Sequence, residues 1–553
     1  MKLNGRLELT WTGKNDQQLI ERRILIEDKN KSYGDPNSEN MLIHGDNLLA
    51  LKALEKDYSG KVKCIFIDPP YNTGTAFEHY DDNLEHSIWL NMMNQRLIKL
   101  KKLLSENGII FVQIDYNEQA YLKVLMDEIF GRINFLTMIT CKVKAPSGIA
   151  SGANAFFDCS EYILVYTKNK QCFDFLPTKI DSFVIGPSAL TVTNVYNQFI
   201  ENWTNSFENF STFEEDVKIC EMKTNDFSIS TIKKSDRTEE VYYENYKKIF
   251  RVAAISGGRD KKILSYLQSL PNYDKNNIYS YSYIASQGKN KGKLITNYIY
   301  KGGNILFLKD FVRIDDEKKK VYKQDIITNI FAFDWWQGLT GEGGVTFKNG
   351  QKPEKLIKTL LSVVTNPGDL VLDSFLGSGT TCAVAHKMNR KWIGIEMGEH
   401  VYSLDKVRMD SIIDGMDMTG ITKDVGWKSG GGYHFYELSE PLFVKHPILG
   451  FYQLNPKFDD LMIKKFICNI EGYEHKENGL IHGFSSEKHL VHITRQFVNG
   501  EYVRQLMNVI GDGESISIYA MKYQPNLRLP DNIEIIDIMK KILPKCVDLK
   551  EEK

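Results

Sequence analysis

The stretch Cys64–Phe77 reads CIFIDPPYNTGTAF, and it decides the fold. Its first four residues form an apolar run typical of a buried strand, and the chain then stops on Asp68-Pro69-Pro70-Tyr71. Proline fixes its own φ and pushes the preceding residue to an extended backbone, so Asp68 is held rigidly where the strand ends. Ligands of open α/β sheets bind at the carboxyl ends of the strands. The pattern therefore predicts a functional corner.

This corner presents hydrogen-bond acceptors, because prolines carry no N–H donor. The Asp68 carboxylate and the Pro69 carbonyl are expected to converge on one point, which suits an exocyclic amino group whose lone pair is aimed elsewhere. Tyr71 offers a flat face on which a base taken out of a helix can stack. The pattern favours methyl transfer from a sulfonium to an amine, which needs alignment more than a strong base. The alternative interpretation is a plain strand-ending turn.

A second motif, VLDSFLGSGTT, occupies Val371–Thr381 and runs from a strand through a Gly-x-Gly turn into a helix. It is neither G-x-G-x-x-G nor a phosphate loop, so dinucleotide and ATP binding lose support. The strand WIGIEM follows and ends in Glu396, where an acid can accept hydrogen bonds from ribose hydroxyls. A structural turn and an ordinary exposed glutamate are the alternatives. Together the two features favour a nucleoside-type cofactor.

The rest of the chain indicates an α/β domain with an insert. Strands and helices alternate from about Met41 to Lys170 and again from Pro353, whereas residues 171–330 show short mixed runs rich in Asn, Lys, Tyr and Phe. The helix IWLNMMNQRLIKLKKLLSENG is expected to end at Gly108 in a left-handed cap. In the C-terminal region, HLVHIT and SISIYAM are predicted strands, and EYVRQLMNVI and IEIIDIMKKIL are predicted helices.

Composition limits the cellular setting. The formal net charge is -1 over 553 residues, so positive charge for nucleic-acid contact must be local, as in GKNKGK of the insert, with Lys289, Lys291 and Lys293. A solvated loop explains any single one of these lysines equally well. The eight cysteines are scattered, and no stretch approaches a membrane span, which together predict a cytoplasmic protein without a membrane partner. No H-E-x-x-H pattern occurs, so no catalytic metal is expected.

At this point the chain resembles a known family. DPPYNTG together with LDSFLGSGTT is similar to the amino-methylating DNA methyltransferases, in the β-class order that places the catalytic motif before the cofactor motif. The stretches LELTWTGKN, GDNLLALKAL, KVKCIFIDPPYNTG, GIIFVQID, EYILVYTKN, KPEKLI and GGGYHFYEL further resemble the modification subunit of type III restriction–modification systems. The resemblance covers roughly residues 1–170 and 330–440, and residues 440–553 match nothing that we can place.

The resemblance implies a fold and its division. The fold is a circularly permuted, Rossmann-like S-adenosylmethionine-dependent methyltransferase domain with an inserted target-recognition domain and a small α/β C-terminal region. Residues 1–170 form its catalytic part, 171–330 the target-recognition insert, 331–425 the cofactor part and 426–553 the C-terminal region. Permutation explains why no glycine loop precedes the catalytic strand.

The resemblance also implies the reaction and the partners. S-adenosyl-L-methionine is the methyl donor, adenine N6 of a flipped base in double-stranded DNA is the acceptor, and the protein is expected to be a homodimer. The chain has no ATP-binding loop, so a restriction or helicase subunit would be a separate partner. Alternatives are cytosine-N4 methylation, which Asp68 disfavours because Ser usually stands there, methylation of RNA or protein, and a specificity subunit of a larger defence complex.

Family patterns assign roles residue by residue. The catalytic set that holds and stacks the base is Asp68, Pro69, Pro70 and Tyr71. The cofactor set is Asp46, Asp68, Lys352, Pro353, Asp373, Phe375, Gly377, Gly379, Thr380 and Glu396. The set expected to contact DNA is Tyr71, Asn72, Thr73, Lys289, Lys291 and Lys293, and Gly74 extends the catalytic loop. The recognition sequence, and whether one or both strands are modified, cannot be derived from these motifs.

Overall fold

The computed structural model describes residues 8–15, 20–72, 85–144, 157–176, 179–185, 189–203, 206–214, 217–285, 291–332, 334–339, 341–345, 347, 350–486 and 488–547. The chain divides into two compact units, one of Met1–Leu176 with Thr328–Lys553 and the other of Pro177–Ile327. Within the described ranges, no helix is long and apolar enough to span a membrane.

A central sheet of 11 strands organises the first unit. Its strands run in the spatial order Leu25–Glu27, Gly432–Leu438, Met41–His44, Lys391–Glu396, Leu370–Asp373, Val62–Ile67, Leu104–Ile114, Ser160–Thr167, Phe135–Lys142 and Ile330–Phe331, and Tyr33–Gly34 pairs with Gly432–Leu438. From Gly432–Leu438 to Leu104–Ile114 all neighbours are parallel, whereas Ser160–Thr167 is antiparallel to both of its neighbours. The predicted α/β class is confirmed.

Helices cover this sheet, with apolar residues at helical spacing on their inner faces. They are Asn47–Tyr58, His86–Leu103, Tyr116–Met126, Glu354–Ser362, Thr380–Lys387, Lys406–Ile413 and Thr422–Val425. The longest buries Trp89, Met93, Leu97 and Leu100, which recur at three- and four-residue intervals and pack into the main core. The sheet buries both faces of its central strands, which explains why Cys64 to Ile67 is continuously apolar.

One predicted helix end was wrong. The helix ends at Leu103, and the next strand already begins at Leu104, so Gly108 lies inside Leu104–Ile114 and not in a left-handed cap. A Cβ atom at this position would lie 2.9 Å from the Ser105 carbonyl oxygen and 3.0 Å from the Val62 carbonyl oxygen. Glycine is therefore required here by close backbone approach.

The unit Pro177–Ile327 has an architecture of its own and falls within the predicted insert. Its eight-stranded sheet has the order Glu208–Phe213, Val217–Met222, Ile278–Ile284, Leu294–Tyr300, Gly303–Phe307, Ile249–Ala254, Gln198–Ile200 and Ile229–Thr231. A three-stranded sheet contains Val312–Asp315, Lys320–Ile326 and Lys179–Val184, and the helices are Leu190–Thr193, Glu239–Asn245 and Gly258–Ser269. Every described strand pair in this unit is antiparallel.

The C-terminal part of the first unit carries a separate five-stranded sheet. Its strands are Glu474–Asn478, Ile481–Ser486, His489–Val498, Ser515–Tyr523 and Ile533–Asp537, and Phe443–Lys445 pairs with Tyr452–Leu454. Its helices are Asp460–Glu471, Gly500–Met507, Ile538–Lys541 and Leu543–Cys546. Gly432–Leu438 belongs to the central sheet, so that sheet continues beyond the boundary placed at 426.

A second predicted helix, IEIIDIMKKIL, was half wrong. Its first five residues form the strand Ile533–Asp537, parallel to Ser515–Tyr523, and only Ile538–Lys541 is helical. Ile533 is buried in the core cluster beneath this sheet. β-Branched isoleucines favour a strand where a neighbouring strand offers backbone partners, and this tertiary pairing overrides the helical spacing.

Candidate active site

Three of the predicted site residues, Asp68, Asp373 and Glu396, lie at one edge of the central sheet. Asp373 and Glu396 are the last residues of two neighbouring parallel strands, and Asp68 directly follows the next strand, Val62–Ile67. Val371 pairs with Cys64 although more than 300 residues separate them in the sequence. The catalytic and cofactor motifs therefore lie side by side at the carboxyl ends of adjacent strands, where α/β folds bind ligands.

Both carboxylate oxygens of Asp68 have partners. Lys352 Nζ lies 2.6 Å from Oδ2, and the Tyr71 hydroxyl donates to Oδ1 at 2.7 Å. The same hydroxyl lies 2.9 Å from Oε2 of Glu161, whose side chain also accepts a bond from the Gln113 amide. The sequence motifs indicate no role for Glu161 or Gln113. They predict that Lys352 lies at the cofactor, whereas the structure places Lys352 in contact with Asp68.

Burial and charge shape the protonation of this cluster. Burial raises the pKa of Asp68, an effect that the Lys352 ammonium partly offsets. Burial would lower the pKa of Lys352, but the carboxylates of Asp68 and Glu161 outweigh it and raise that pKa. Burial, reinforced by both carboxylates, raises the pKa of Tyr71, so its hydroxyl keeps its proton.

The two proline carbonyls of the corner have different surroundings. Trp89 Nε1 donates to the Pro70 carbonyl at 2.8 Å, which anchors the loop to the helix His86–Leu103. Among the residues that the structure describes, no backbone N–H is recorded as donating to the Pro69 carbonyl. The predicted pairing of Asp68 with the Pro69 carbonyl as acceptors of one amino group stays a prediction.

The chain after Tyr71 turns sharply. Asn72 has a φ of 60°, and its side-chain amide donates to Glu118 Oε1 at 2.7 Å. Glu118 is fully buried and also lies 2.7 Å from His86 Nδ1, so it fixes the start of the loop. Asn72 was predicted to contact DNA, and its amide faces a protein carboxylate. Thr73, Gly74 and Lys289 lie outside the described residues.

The cofactor motif forms a tight turn around Asp373. Its carboxylate accepts bonds from the Phe375 backbone N–H at 3.0 Å and from the Thr381 hydroxyl at 2.6 Å, and burial raises its pKa to about 7. Gly377 and Gly379 have φ values of 59° and 73°, which residues with a side chain rarely adopt. The sequence correctly placed glycines at a backbone that needs them.

Glu396 closes the turn from the neighbouring strand. Its Oε2 accepts the Gly377 N–H and its Oε1 accepts the Gly398 N–H, both at 2.8 Å. Burial raises the pKa of Glu396, but His400 and these N–H groups outweigh it, and the net shift is downward.

The remaining predicted cofactor residues have varied surroundings. Asp46 caps the helix Asn47–Tyr58 and pairs with Arg96 at 3.1 Å. Phe375 packs into the main core, and Pro353 is the buried residue before helix Glu354–Ser362. Thr380 accepts a bond from Arg408 at 3.0 Å. In the other unit, Lys291 and Lys293 are exposed between strands Ile278–Ile284 and Leu294–Tyr300.

The turn fits a nucleoside cofactor with a polar tail. Ser374 is 1% exposed and its hydroxyl has no partner among the described residues, so a buried polar atom at the turn remains unsatisfied. The Glu396 carboxylate, whose pKa is lowered, accepts the Gly377 N–H of the same turn. The described residues contain no group of three or more His, Cys, Asp or Glu side chains arranged to hold a metal ion.

A buried charge network holds the turn from behind. Arg408 donates to the Ser378 carbonyl at 2.7 Å and pairs with Glu354 at 2.7 Å, and Lys387 pairs with Glu354 at 2.8 Å and with Asp417 at 2.6 Å. Arg408, Glu354 and Lys387 are at most 1% exposed. Glu354 stands two residues after Lys352, so the network ties the cofactor turn to the residue that contacts the catalytic acid.

Comparison with known proteins identifies the class. The DNA methylase family matches residues 62–406, which is more than half of the chain and includes both motifs. This chain belongs to the DNA methylase family.

Curated relatives narrow the resemblance. The "Probable type III restriction-modification enzyme HindVI Mod subunit" of Haemophilus influenzae is 38% identical over 76% of this chain and 56% of its own length. The EcoP15I Mod subunit of Escherichia coli is 29% identical over 69% of this chain and 62% of its length. The type II methyltransferase M.EcaI of Enterobacter cloacae is 28% identical over 71% of this chain and 75% of its own length.

These matches confirm the resemblance to type III modification subunits that the motifs indicated. The chain spans little more than half the length of the first two relatives. Their activities therefore come to this chain as proposals.

Proposed function

We propose that this chain is a site-specific DNA methyltransferase that moves a methyl group from S-adenosyl-L-methionine to adenine N6. The observation that carries the proposal is the side-by-side placement of Asp68 and the Asp373–Glu396 turn at the ends of adjacent parallel strands. This placement supports a role for Asp68 in binding an amine beside a nucleoside-type cofactor. The family match and the names of the relatives support the same activity.

The residues present fit S-adenosyl-L-methionine. Glu396 would take the ribose hydroxyls, and the turn from Asp373 to Gly379 would take the methionine end, with the Ser374 hydroxyl as a donor or acceptor. The cofactor would supply an electrophilic methyl group on a sulfonium. A side chain at Gly377 would enter this space, because a Cβ atom added there would have its nearest neighbours 3.9 Å away.

The chain's own residues would hold and aim the amine. Asp68 Oδ1 and the Pro69 carbonyl accept the two N–H bonds of the amino group, which leaves its lone pair directed towards the cofactor. Tyr71 stacks on the flipped base. Lys352 partly offsets the rise in the pKa of Asp68 that burial causes, which favours the carboxylate as an acceptor.

Adenine is favoured over cytosine because Asp stands first in the catalytic motif. The unit Pro177–Ile327 is proposed as the target-recognition part, with double-stranded DNA as its partner and its exposed lysines as phosphate contacts. A homodimer and a separate restriction subunit are proposed from the type III relatives.

Methyl transfer to unmethylated DNA tests the proposal. The chain would be incubated with labelled cofactor and either DNA or RNA, and the modified nucleoside identified by mass spectrometry. N6-methyladenine confined to DNA is the expected product. N4-methylcytosine would overturn the choice of adenine as the target base, and labelled RNA would overturn the choice of DNA as the substrate. Binding of cofactor without any methyl transfer would overturn the assignment as an enzyme.

A further inference from the structure

The Tyr71 hydroxyl lies between two carboxylates. It is 2.7 Å from Asp68 Oδ1 and 2.9 Å from Glu161 Oε2. A phenol has a single hydrogen, so it can donate to only one of these oxygens at a time. The second carboxylate is therefore an alternative partner within reach of the same hydroxyl.

Both Asp68 oxygens already have a close partner in this arrangement. Lys352 Nζ occupies Oδ2 at 2.6 Å, and the tyrosine hydroxyl occupies Oδ1. An amino group that approaches Oδ1 shares this oxygen with the hydroxyl, and it gains the full acceptor strength of Oδ1 only when the hydroxyl turns to another partner. Because the Asp68 side chain is only 20% exposed, water offers little compensation for a lost partner in this corner.

Glu161 is held in place independently of Tyr71. It lies on the strand Ser160–Thr167, which pairs with Leu104–Ile114 in antiparallel register. On that neighbouring strand the buried Gln113 donates to Glu161 Oε2 at 2.5 Å. The glutamate is thus fixed by the sheet and remains available as an acceptor when the contents of the site change.

We propose that Glu161 is a positioning residue for methyl transfer, which receives the Tyr71 hydroxyl bond when the target amino group takes Asp68. This role rests on the proposed function. Rotation of the O–H bond about its C–O axis is enough to change partners, so the Tyr71 ring need not move and remains available for stacking. Without Glu161 the hydroxyl would keep its bond to Asp68, because a buried donor without an acceptor is unfavourable.

The test is a cycle of four proteins: wild type, Glu161→Leu, Tyr71→Phe and the double variant. Glu161→Leu removes the alternative acceptor, and we expect kcat/KM for methyl transfer to DNA to fall about tenfold, the effect of losing one buried hydrogen-bond partner. Affinity for S-adenosyl-L-methionine, measured by calorimetry, should stay within about twofold of wild type. Glu161→Gln retains an acceptor oxygen and should remain close to wild type.

The decisive result is rescue. Tyr71→Phe removes the competing hydroxyl, so the double variant should recover most of the activity that Glu161→Leu loses. Any damage that leucine does to the fold is common to both proteins and leaves their comparison valid. Two results would overturn the role of Glu161: a double variant that is no more active than Glu161→Leu, or a Glu161→Leu variant that is fully active. In both cases methyl transfer by the wild type would still support the proposed function. An inactive wild type would overturn the function and this role together.

Discussion

Lys352 and Asp68 come from distant parts of the sequence and meet at a distance of 2.6 Å. The pair combines a buried acid, whose pKa burial raises, with a buried ammonium that partly offsets this rise. A general base is not required for methyl transfer, and an ionised acceptor is sufficient to orient an amine. At the scale of single residues, the proposed task of Asp68 and Lys352 is therefore to orient the amine and not to remove a proton.

Asp373 should make stability depend on pH. Its pKa rises from 3.8 to about 7 through burial, so the native state holds a proton that the unfolded chain releases, and stability falls as pH rises between these values. Without cofactor, Asp373→Asn should gain about 2 to 3 kcal/mol over wild type between pH 5 and pH 8, at about 1.4 kcal/mol per pKa unit. Denaturant unfolding at both pH values measures this gain, and the exposed Asp512→Asn is the control. A difference in unfolding free energy between Asp373→Asn and wild type that is equal at both pH values would contradict this prediction.

Gly379 should be irreplaceable at the cofactor turn. Its φ is 73°, and a Cβ atom there would lie 2.9 Å from Asp405 Oδ1, whereas Gly426 has a similar φ of 68° in open space. Gly426→Ala should cost about 1 kcal/mol of stability through backbone strain alone. Gly379→Ala should cost more and weaken cofactor binding at least about tenfold, because the turn itself must shift. Calorimetry that finds equal cofactor affinity in both variants would refute this placement.

At the scale of elements, three helices and a turn are joined through the buried charges of Glu354, Lys387 and Arg408. Glu354 accepts bonds from Lys387, Arg408 and the Ile421 backbone N–H, all at 3.0 Å or less. Its helix begins just after Lys352, and Arg408 reaches the carbonyl of Ser378 in the turn. The position of the catalytic contact therefore depends on the packing of these elements.

Removal of Glu354 should be far more damaging than removal of an exposed acid. Glu354→Ala leaves the buried Arg408 without its carboxylate partner and should cost about 3 to 5 kcal/mol of the free energy of unfolding. The matched control is Asp424→Ala, whose pair with Lys358 spans 3.3 Å with the Asp424 side chain 48% exposed. That pair should contribute about 0 to 1 kcal/mol. Urea denaturation distinguishes the two, and similar losses would contradict the role of the buried network.

At the scale of the whole molecule, the strand ends were predictable and the contacts between them were not. Asp68 and Glu396 follow apolar strands, so the sheet topology alone brings them to one edge. The contacts of Glu161 with Tyr71 and of Glu118 with Asn72 depend on strand register and on helix placement over 46 to 90 residues of sequence, and periodicity does not encode these. The wrongly predicted helix at Ile533–Asp537 has a related origin, because helical spacing does not show that Ser515–Tyr523 offers it a strand partner.

Replacement of the unit Pro177–Ile327 should change where the enzyme acts. If this unit selects the target, a chain that carries the corresponding segment of a relative should keep its affinity for S-adenosyl-L-methionine, because the cofactor turn lies in the other unit. Sequencing that maps methylated positions should then report a different motif. An unchanged motif would show that recognition lies elsewhere in the chain.

The measurement that tests the central claim most directly compares wild type with Asp68→Ala. Both proteins would receive labelled S-adenosyl-L-methionine and unmethylated genomic DNA, with cofactor affinity measured in parallel by calorimetry. We expect N6-methyladenine from the wild type, and from Asp68→Ala no detectable transfer with cofactor binding intact, because the acid holds the amine and not the methyl donor. Full activity in Asp68→Ala would contradict the account.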